Sequence, residues 1–207
     1  MTSIDKEIFL WINNGVGKSP VLDRIMTWLA NDYFVIVTMA LFILCIWFMG
    51  HGREGREGYQ RAAICAMTTI GFAGGFVYAV NHLYRHPHPF NAVDVFDPAT
   101  LEQIRQHVLK IYYFIHDPPF PSNTSAVTFG AVAGLWQVKR KLGYIMLVPA
   151  ILMPLAKVYA GVYWPSDIVA GALLGIATSF LIRYVVLPVA EPVIRRLLAA
   201  CRRLCIA

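Results

Sequence analysis

Three polar clusters, set in a chain otherwise built from apolar residues, carry the groups that could handle an anion. The first is Arg85-His86-Pro87-His88, a guanidinium and two imidazoles within four residues. The second, Pro121-Ser122-Asn123-Thr124, has the form of a helix start. Ser122 is a natural N-cap, and the free N–H groups and positive dipole end behind it suit a negative charge. The third runs from Ala156 to Asp167 and spaces Lys157, Tyr163 and Asp167 along a break between two apolar segments, with Pro165 restarting a helix just before the acid. Together these make a plausible cradle for phosphate. Alone, each is ordinary: Pro-Ser-Asn-Thr is a common cap, and a Lys at a helix end usually just extends toward water. The chemistry therefore depends on elements that bring the three together.

Those elements are membrane helices. With 57% hydrophobic and 14% charged residues in 207, and a mean hydropathy of +0.55, the chain is too apolar for an ordinary soluble domain. Stretches 33–50, 142–161 and 168–189 are each nearly continuously apolar for 18 residues or more, long enough to span a bilayer. Segments 62–84 and 123–138 complete an expected all-α, polytopic bundle of about five transmembrane helices over 33–189. Gly71, Gly74 and Gly75 in the second span, Ala126, Gly130 and Gly134 in the third, and Gly171 and Gly175 in the fifth predict close helix contacts. Residues 1–32 read as two short amphipathic pieces, either interfacial or ordinarily packed. No cleavable signal is expected there. An extracytoplasmic excursion spans 85–121, with a short helix expected over 101–115, and 190–207 form a basic cytoplasmic tail. Cys45, Cys65, Cys201 and Cys205 lack metal or disulfide spacing and read as buried thiols, or lipidated ones in the tail.

The net charge of +6 is distributed as a membrane protein distributes it, not as a nucleic-acid binder does. The loops at 51–61 and 139–141, with Arg183 and the tail, hold eleven Lys and Arg against three acids, while the remainder holds seven against nine. The positive-inside rule then puts the basic loops and tail in the cytoplasm and all three polar clusters on the extracytoplasmic rim. The expected partners are membrane lipids, lipid phosphates among them, and other membrane proteins, with no nucleic acid.

The order and spacing of the clusters resemble the type-2 phosphatidic acid phosphatase and haloperoxidase superfamily, in its membrane lipid phosphatase branch, over most of the stretch from Tyr33 to Val189. That family carries K-x6-R-P, P-S-G-H and S-R-x5-H-x3-D. The resemblance implies a nucleophilic His in the third motif, oriented by the Asp, and a second-motif His that protonates the leaving group. Lys, Arg and Ser side chains and backbone amides hold the phosphate oxygens. Laid over this chain, the first motif falls on Asn81 through His88-Pro89, with Asn81 at the Lys position and His88 at the Arg position. Pro121 and Ser122 match the second, but Asn123 stands for Gly and Thr124 for His. In the third, Ala156-Lys157 replace Ser-Arg, Tyr163 occupies the nucleophile position, and Asp167 matches. The implied phosphate-binding positions are Asn81, His88, Ser122, Asn123 and Lys157, and those matching catalytic residues are Thr124, Tyr163 and Asp167. No cofactor and no metal are implied.

Scaffold and chemistry then point apart. Losing a catalytic nucleophile costs about a million-fold in turnover, a hydroxyl at Thr124 has no useful pKa near neutrality, and a phenol titrating near 10 is only about a thousandth ionised at pH 7. The leading expectation is thus a non-catalytic relative, a pseudoenzyme that binds lipid phosphate or serves as a structural subunit of a membrane assembly. The alternative is a lipid phosphatase or phosphotransferase with a relocated acid, base or nucleophile in His88, His116 or Tyr163. His82, His86, His88, His107 and His116 all fall on or beside the extracytoplasmic side and could rebuild an acid–base pair or hold a metal, although His-x-His in a turn is not a diagnostic metal spacing. A lipid-carrier transporter is the third reading, drawn from the Gly-rich second and third spans.

Overall fold

The computed structural model describes residues 2–113, 115 and 117–203, with only the backbone of Arg53; His116 and Cys205 lie outside the described residues. The chain is helical throughout this range: α1 (Ser3–Asn13), α2 (Pro20–Ala30), α3 (Asp32–Trp47), α4 (Gly52–Leu83), a 3₁₀ turn (Pro89–Asn91), α5 (Pro98–Ile111), α6 (Asn123–Trp136), α7 (Arg140–Ala160), α8 (Pro165–Leu181) and α9 (Leu187–Arg203). A π-helical turn at Ile182–Val186 joins the last two. Among the described residues, three helices are long and apolar enough to cross a membrane: Glu54–Leu83, Arg140–Ala160 and Pro165–Arg203. A fourth crossing results if α2 and α3, bent by 58° at Asn31, count as one. The expected third span, α6, has 14 residues and is enclosed by its neighbours rather than facing lipid, with Thr124, Ser125, Ala126, Thr128, Gly130 and Gly134 all buried.

Local signals in the sequence account for most boundaries. Thr2, Ser19, Asn31, Asp97 and Ser122 cap α1, α2, α3, α5 and α6 with their side-chain oxygens, and α7 ends on Gly161 in the left-handed region (φ 96°). The short helix expected over 101–115 is α5, Pro98–Ile111, and the start of α4 also differs from the sequence reading. The stretch taken as a basic loop at 51–61 is the first turns of α4, because Glu57 and Arg61 pair one turn apart and Arg61 also bridges to Glu191 of α9 at 2.8 Å. The same bridge ties the basic tail, helical as far as Arg203, back onto the bundle.

Close approach of α6 and α8 sets the centre. A Cβ on Gly175 would lie 2.1 Å from the Ala126 carbonyl, and one on Gly171 would lie 2.3 Å from that of Ser122. Only hydrogen at these positions lets the backbones touch, which replaces the hydrophobic drive that lipid cannot supply. The glycines of α4 do not act this way. Gly71 and Gly75 meet no neighbour within 4 Å, and Gly74 meets only Asn123 at 3.8 Å. The expected close contacts come instead from Ala62, Ala63 and Ala66, on the face of α4 that packs against Ala131, Leu135 and Met146.

The long helices alternate in direction, so the C-terminal ends of α4 and α7 and the N-terminal ends of α6 and α8 meet at one end of the bundle. There a second core lies beneath the polar clusters: Phe9 and Phe96 pack on the fully buried Trp164, with ring centroids 5.0 and 5.7 Å away, alongside Ile104, Val108 and Val162. Thus α1 and α5 cover the third cluster. Replacing Gly175 by Ala is expected to cost about 1–3 kcal/mol through overpacking. Thermal unfolding in detergent micelles should show a lowered midpoint for Gly175→Ala, with Gly71→Ala unchanged.

Candidate active site

Asp167 is fully buried at the start of α8 and accepts two hydrogen bonds. One comes from the Trp164 backbone N–H, 3.0 Å from Oδ2, and the other from His86, whose Nε2 lies 2.9 Å from Oδ1. A buried carboxylate needs its oxygens satisfied, and the imidazole N–H supplies one of the donors. With the ring neutral, the proton donated from Nε2 leaves the lone pair on Nδ1. His86 is held by Tyr84 and Phe120, with ring centroids 5.9 and 5.8 Å from its own. Trp164 donates its indole N–H to the Pro87 carbonyl at 3.0 Å, and the Ser122 N–H meets the Asp167 carbonyl at 3.0 Å. Asp167 thus joins the first, second and third clusters.

A cavity of about 720 Å³ opens beside this pair. Its wall includes Arg85, His86, Asn123, Thr124, Lys157 and Tyr163. Arg85 is exposed at the mouth, without a hydrogen bond or ion pair among the described residues. Lys157 is 1% exposed and its Nζ donates to Thr124 Oγ1 at 3.0 Å and to Asp32 Oδ1 at 2.6 Å. Asp32, the first residue of α3, also accepts the Tyr112 hydroxyl proton. Sequence reading did not single out Asp32, because its partner lies 125 positions away; a carboxylate opening an apolar span was the available signal.

The positions singled out from the sequence divide clearly. Asn81, His88, Asn123, Thr124, Lys157 and Tyr163 all border the cavity. Ser122 does not: it is fully buried, and its hydroxyl caps α6 by accepting the Ser125 N–H at 3.3 Å. His88 is engaged on both sides, Nδ1 with the Val162 carbonyl and Nε2 with the Asp117 carbonyl, each at 2.7 Å, so it clamps two loops together. Burial, reinforced by Asp32, pushes the Tyr163 phenol above its ordinary value, which opposes the anionic form a nucleophile would need. His107 lies away from the cavity on Asn13 Oδ1 at 2.8 Å, and burial with Lys110 nearby holds it below the usual imidazole value. Among the described residues, no group of three His, Cys, Asp or Glu side chains is placed to hold a metal ion.

The Lys157–Asp32 pair yields a stability prediction. Removing one partner of a buried pair strands the other charge, whereas removing both costs far less. Asp32→Asn should lower the thermal midpoint in detergent, and the double variant Asp32→Asn with Lys157→Met should recover most of the loss.

Comparison with known proteins agrees with this arrangement. The family described as the PAP2 superfamily matches residues 62–189. The putative undecaprenyl-diphosphatase YbjG of Escherichia coli K12 is 24% identical over 179 residues, covering 84% of this chain and 79% of that protein. Undecaprenyl-diphosphatase BcrC of Bacillus subtilis is 27% identical over 177 residues, covering 84% and 80%. In structure, Aquifex aeolicus LpxE shares the fold with a TM-score of 0.63 at 24% identity, over 87% of this chain and 94% of its own. A PAP2 type phosphatidylglycerolphosphate phosphatase of Bacillus subtilis does so at 0.54 and 17%, over 88% and 86%. These findings correct the expectation of a non-catalytic lipid-binding or structural subunit, and that of a lipid-carrier transporter, since the full-length relatives are named as phosphatases. The physical reason is visible in the site: the expectation assumed that Asp167 had no imidazole to orient, yet His86 reaches it from the first cluster. With its matched region spanning the bundle from α4 to the start of α9, the chain belongs to the PAP2 superfamily.

Proposed function

We propose that this protein is a lipid phosphatase that removes a phosphoryl group from a membrane-held lipid, with the His86–Asp167 pair as its reactive centre. The observation that carries this reading is the 2.9 Å contact between His86 Nε2 and Asp167 Oδ1 at the edge of a cation-bordered cavity. His86 Nδ1 attacks phosphorus, the bond to the leaving oxygen breaks, and Asp167 stabilises the ring as it becomes positive. Water then cleaves the phosphohistidine, releasing inorganic phosphate and restoring the neutral ring. Phosphoryl transfer needs mainly positioning and charge compensation. Arg85 and Lys157 would supply the charge, and the free N–H groups of the first turn of α6 would add donors for the phosphate oxygens. Support comes from the names of the relatives, undecaprenyl-diphosphatases that align over four-fifths of their length.

The distribution of Lys and Arg supports an extracytoplasmic site, with the Arg140 end of α7 and the α9 tail in the cytoplasm. Residues 1–32 would lie at the outer interface, where Trp11 and Trp28, 81% and 58% exposed, suit the head-group region. Their inward side bears on the chemistry: Asp5 accepts from the Ser166 N–H at 2.9 Å and hydroxyl at 2.8 Å, fixing the start of α8.

Phosphate release from vesicles carrying a panel of lipid phosphates tests the assignment. His86→Ala should lower turnover by about a million-fold and Asp167→Asn by about ten-thousand-fold, as losses of a nucleophile and its orienting acid do. Full activity in His86→Ala, or none in the wild type, would overturn the assignment. Tyr163→Phe separates the two candidate nucleophiles. It should retain turnover within about tenfold, far from the million-fold loss that removing a nucleophile brings.

A further inference from the structure

Arg183 interrupts the apolar stretch 168–189, and its setting is not that of an arginine reaching for water. It lies on the π-helical turn between α8 and α9, a distortion that helices frequently keep at functional sites. Eighteen residues of helix separate it from Pro165, about 27 Å at about 1.5 Å per residue. That is close to the ~30 Å depth of a hydrocarbon core, so Arg183 sits near the boundary opposite the candidate active site. A snorkelling arginine carries its guanidinium out into water. Arg183 is instead partly buried and borders a pocket of about 100 Å³ between α4 and α9. Ile64, Leu187 and Ile194 form apolar wall there, and Arg61 and Glu191 form polar wall. Arg61 is already neutralised, since its fork binds Glu191 at 2.8 Å and Glu57 at 2.9 Å. Arg195 on Glu191 at 2.8 Å and Arg202 near Glu57 at 3.6 Å complete the group. Among the described residues Arg183 makes no hydrogen bond or ion pair, and the group sets four arginines against two glutamates. The pocket is left with surplus positive charge and a guanidinium whose donors are unused.

We infer that this pocket holds the phosphodiester head of an anionic phospholipid, gripped by Arg183, in the leaflet opposite the candidate active site. The planar fork of an arginine matches two phosphate oxygens, and the space admits a phosphate but not a whole lipid. The surroundings favour a lipid over a soluble anion. Tyr184, Val189, Val193 and Leu197, along the same stretch of helix, are exposed apolar side chains that acyl chains would cover. Exposed Arg195, Arg196 and Arg203 on α9, with Arg140 and Lys141 at the start of α7, draw anionic lipids toward this end. It is also the end that the distribution of Lys and Arg marks as cytoplasmic, where anionic lipids give a membrane its negative surface. Bound there, the phosphate extends the link between α4 and α9 that Arg61 and Glu191 begin. The inference stands apart from the hydrolytic reading, because a phosphodiester has no terminal phosphoryl group to lose.

The experiment titrates the full chain, in uncharged detergent micelles, with phosphatidylglycerol or with phosphatidylcholine of the same acyl chains. Affinity is read from the thermal midpoint against lipid fraction, and retained lipid is counted by native mass spectrometry. Phosphatidylglycerol should raise the midpoint saturably, and phosphatidylcholine should not. Arg183→Gln should weaken phosphatidylglycerol binding by at least about tenfold, as loss of a charged hydrogen-bonding group does. Arg196→Gln, which removes only a surface charge, should weaken it by no more than about fivefold. If Arg183→Gln does not fold, Arg183→Lys decides, since it keeps the charge and loses the fork. Weaker binding by that variant supports the site, and wild-type binding overturns it. Equal stabilisation by the two lipids, or equal losses in Arg183→Gln and Arg196→Gln, would also overturn the inference. So would a shift reproduced by inorganic phosphate at matched ionic strength, which would make this a soluble-anion site. A shift abolished by Arg85→Gln and kept in Arg183→Gln would place the lipid in the other cavity and overturn it too. None of these outcomes bears on phosphate release.

Discussion

The buried carboxylate of Asp167 is the constraint around which this end of the protein is arranged. With no exposure, it needs a donor on each oxygen. The Trp164 backbone N–H supplies one donor by capping α8, and the His86 ring supplies the other. Satisfying Asp167 thus draws the segment after α4 onto the start of α8. The Asp167 carbonyl also takes the Ser122 N–H, drawing in the start of α6. The Trp164 indole on the Pro87 carbonyl and His88 on the Val162 carbonyl repeat the same link a few ångströms away. The His86–Asp167 pair is therefore held by several independent contacts between the same segments.

A second polar centre balances the first. Lys157 is as buried as a leucine in the core, and in such surroundings an ammonium is tolerated only with a partner close by. Asp32 provides one from the bend between α2 and α3, and Tyr112 fixes Asp32 from the loop after α5. The N-terminal helices are tied to the same rim: Asn13 donates to the Tyr159 carbonyl at 2.8 Å, and Asp23 accepts from the Tyr159 hydroxyl at 2.7 Å. Elements that bear no part of the family motifs are thus what hold the third cluster in place.

Much of the fold was legible because its signals are local. Apolar length, Ser, Asn and Asp caps, and glycines spaced four apart on α8 act on their own neighbourhood and need no knowledge of distant contacts. Legibility declined where a signal required a partner. Gly71 and Gly75 resemble the glycines of α8 in spacing, but which face of α4 meets another helix depends on the whole bundle, and that face turned out to be alanine. Residues 51–61 looked like a loop by charge, yet the pairing of Arg61 with Glu191, 130 positions away, helps make them helix.

The site divides along the same line. By itself, the sequence determined that this is a membrane helical protein of the PAP2 type, that Asp167 keeps its place, and that imidazoles are absent at positions 124 and 163. From motif positions alone, those absences pointed to an inert site. Only the tertiary structure places an imidazole on Asp167, because that contact is made through distance and not through position in the chain. His86 lies 81 residues from Asp167, at a position the first motif leaves open, and folding brings it within 2.9 Å. Motif spacing records which residues usually meet; the hydrogen bond records which ones do.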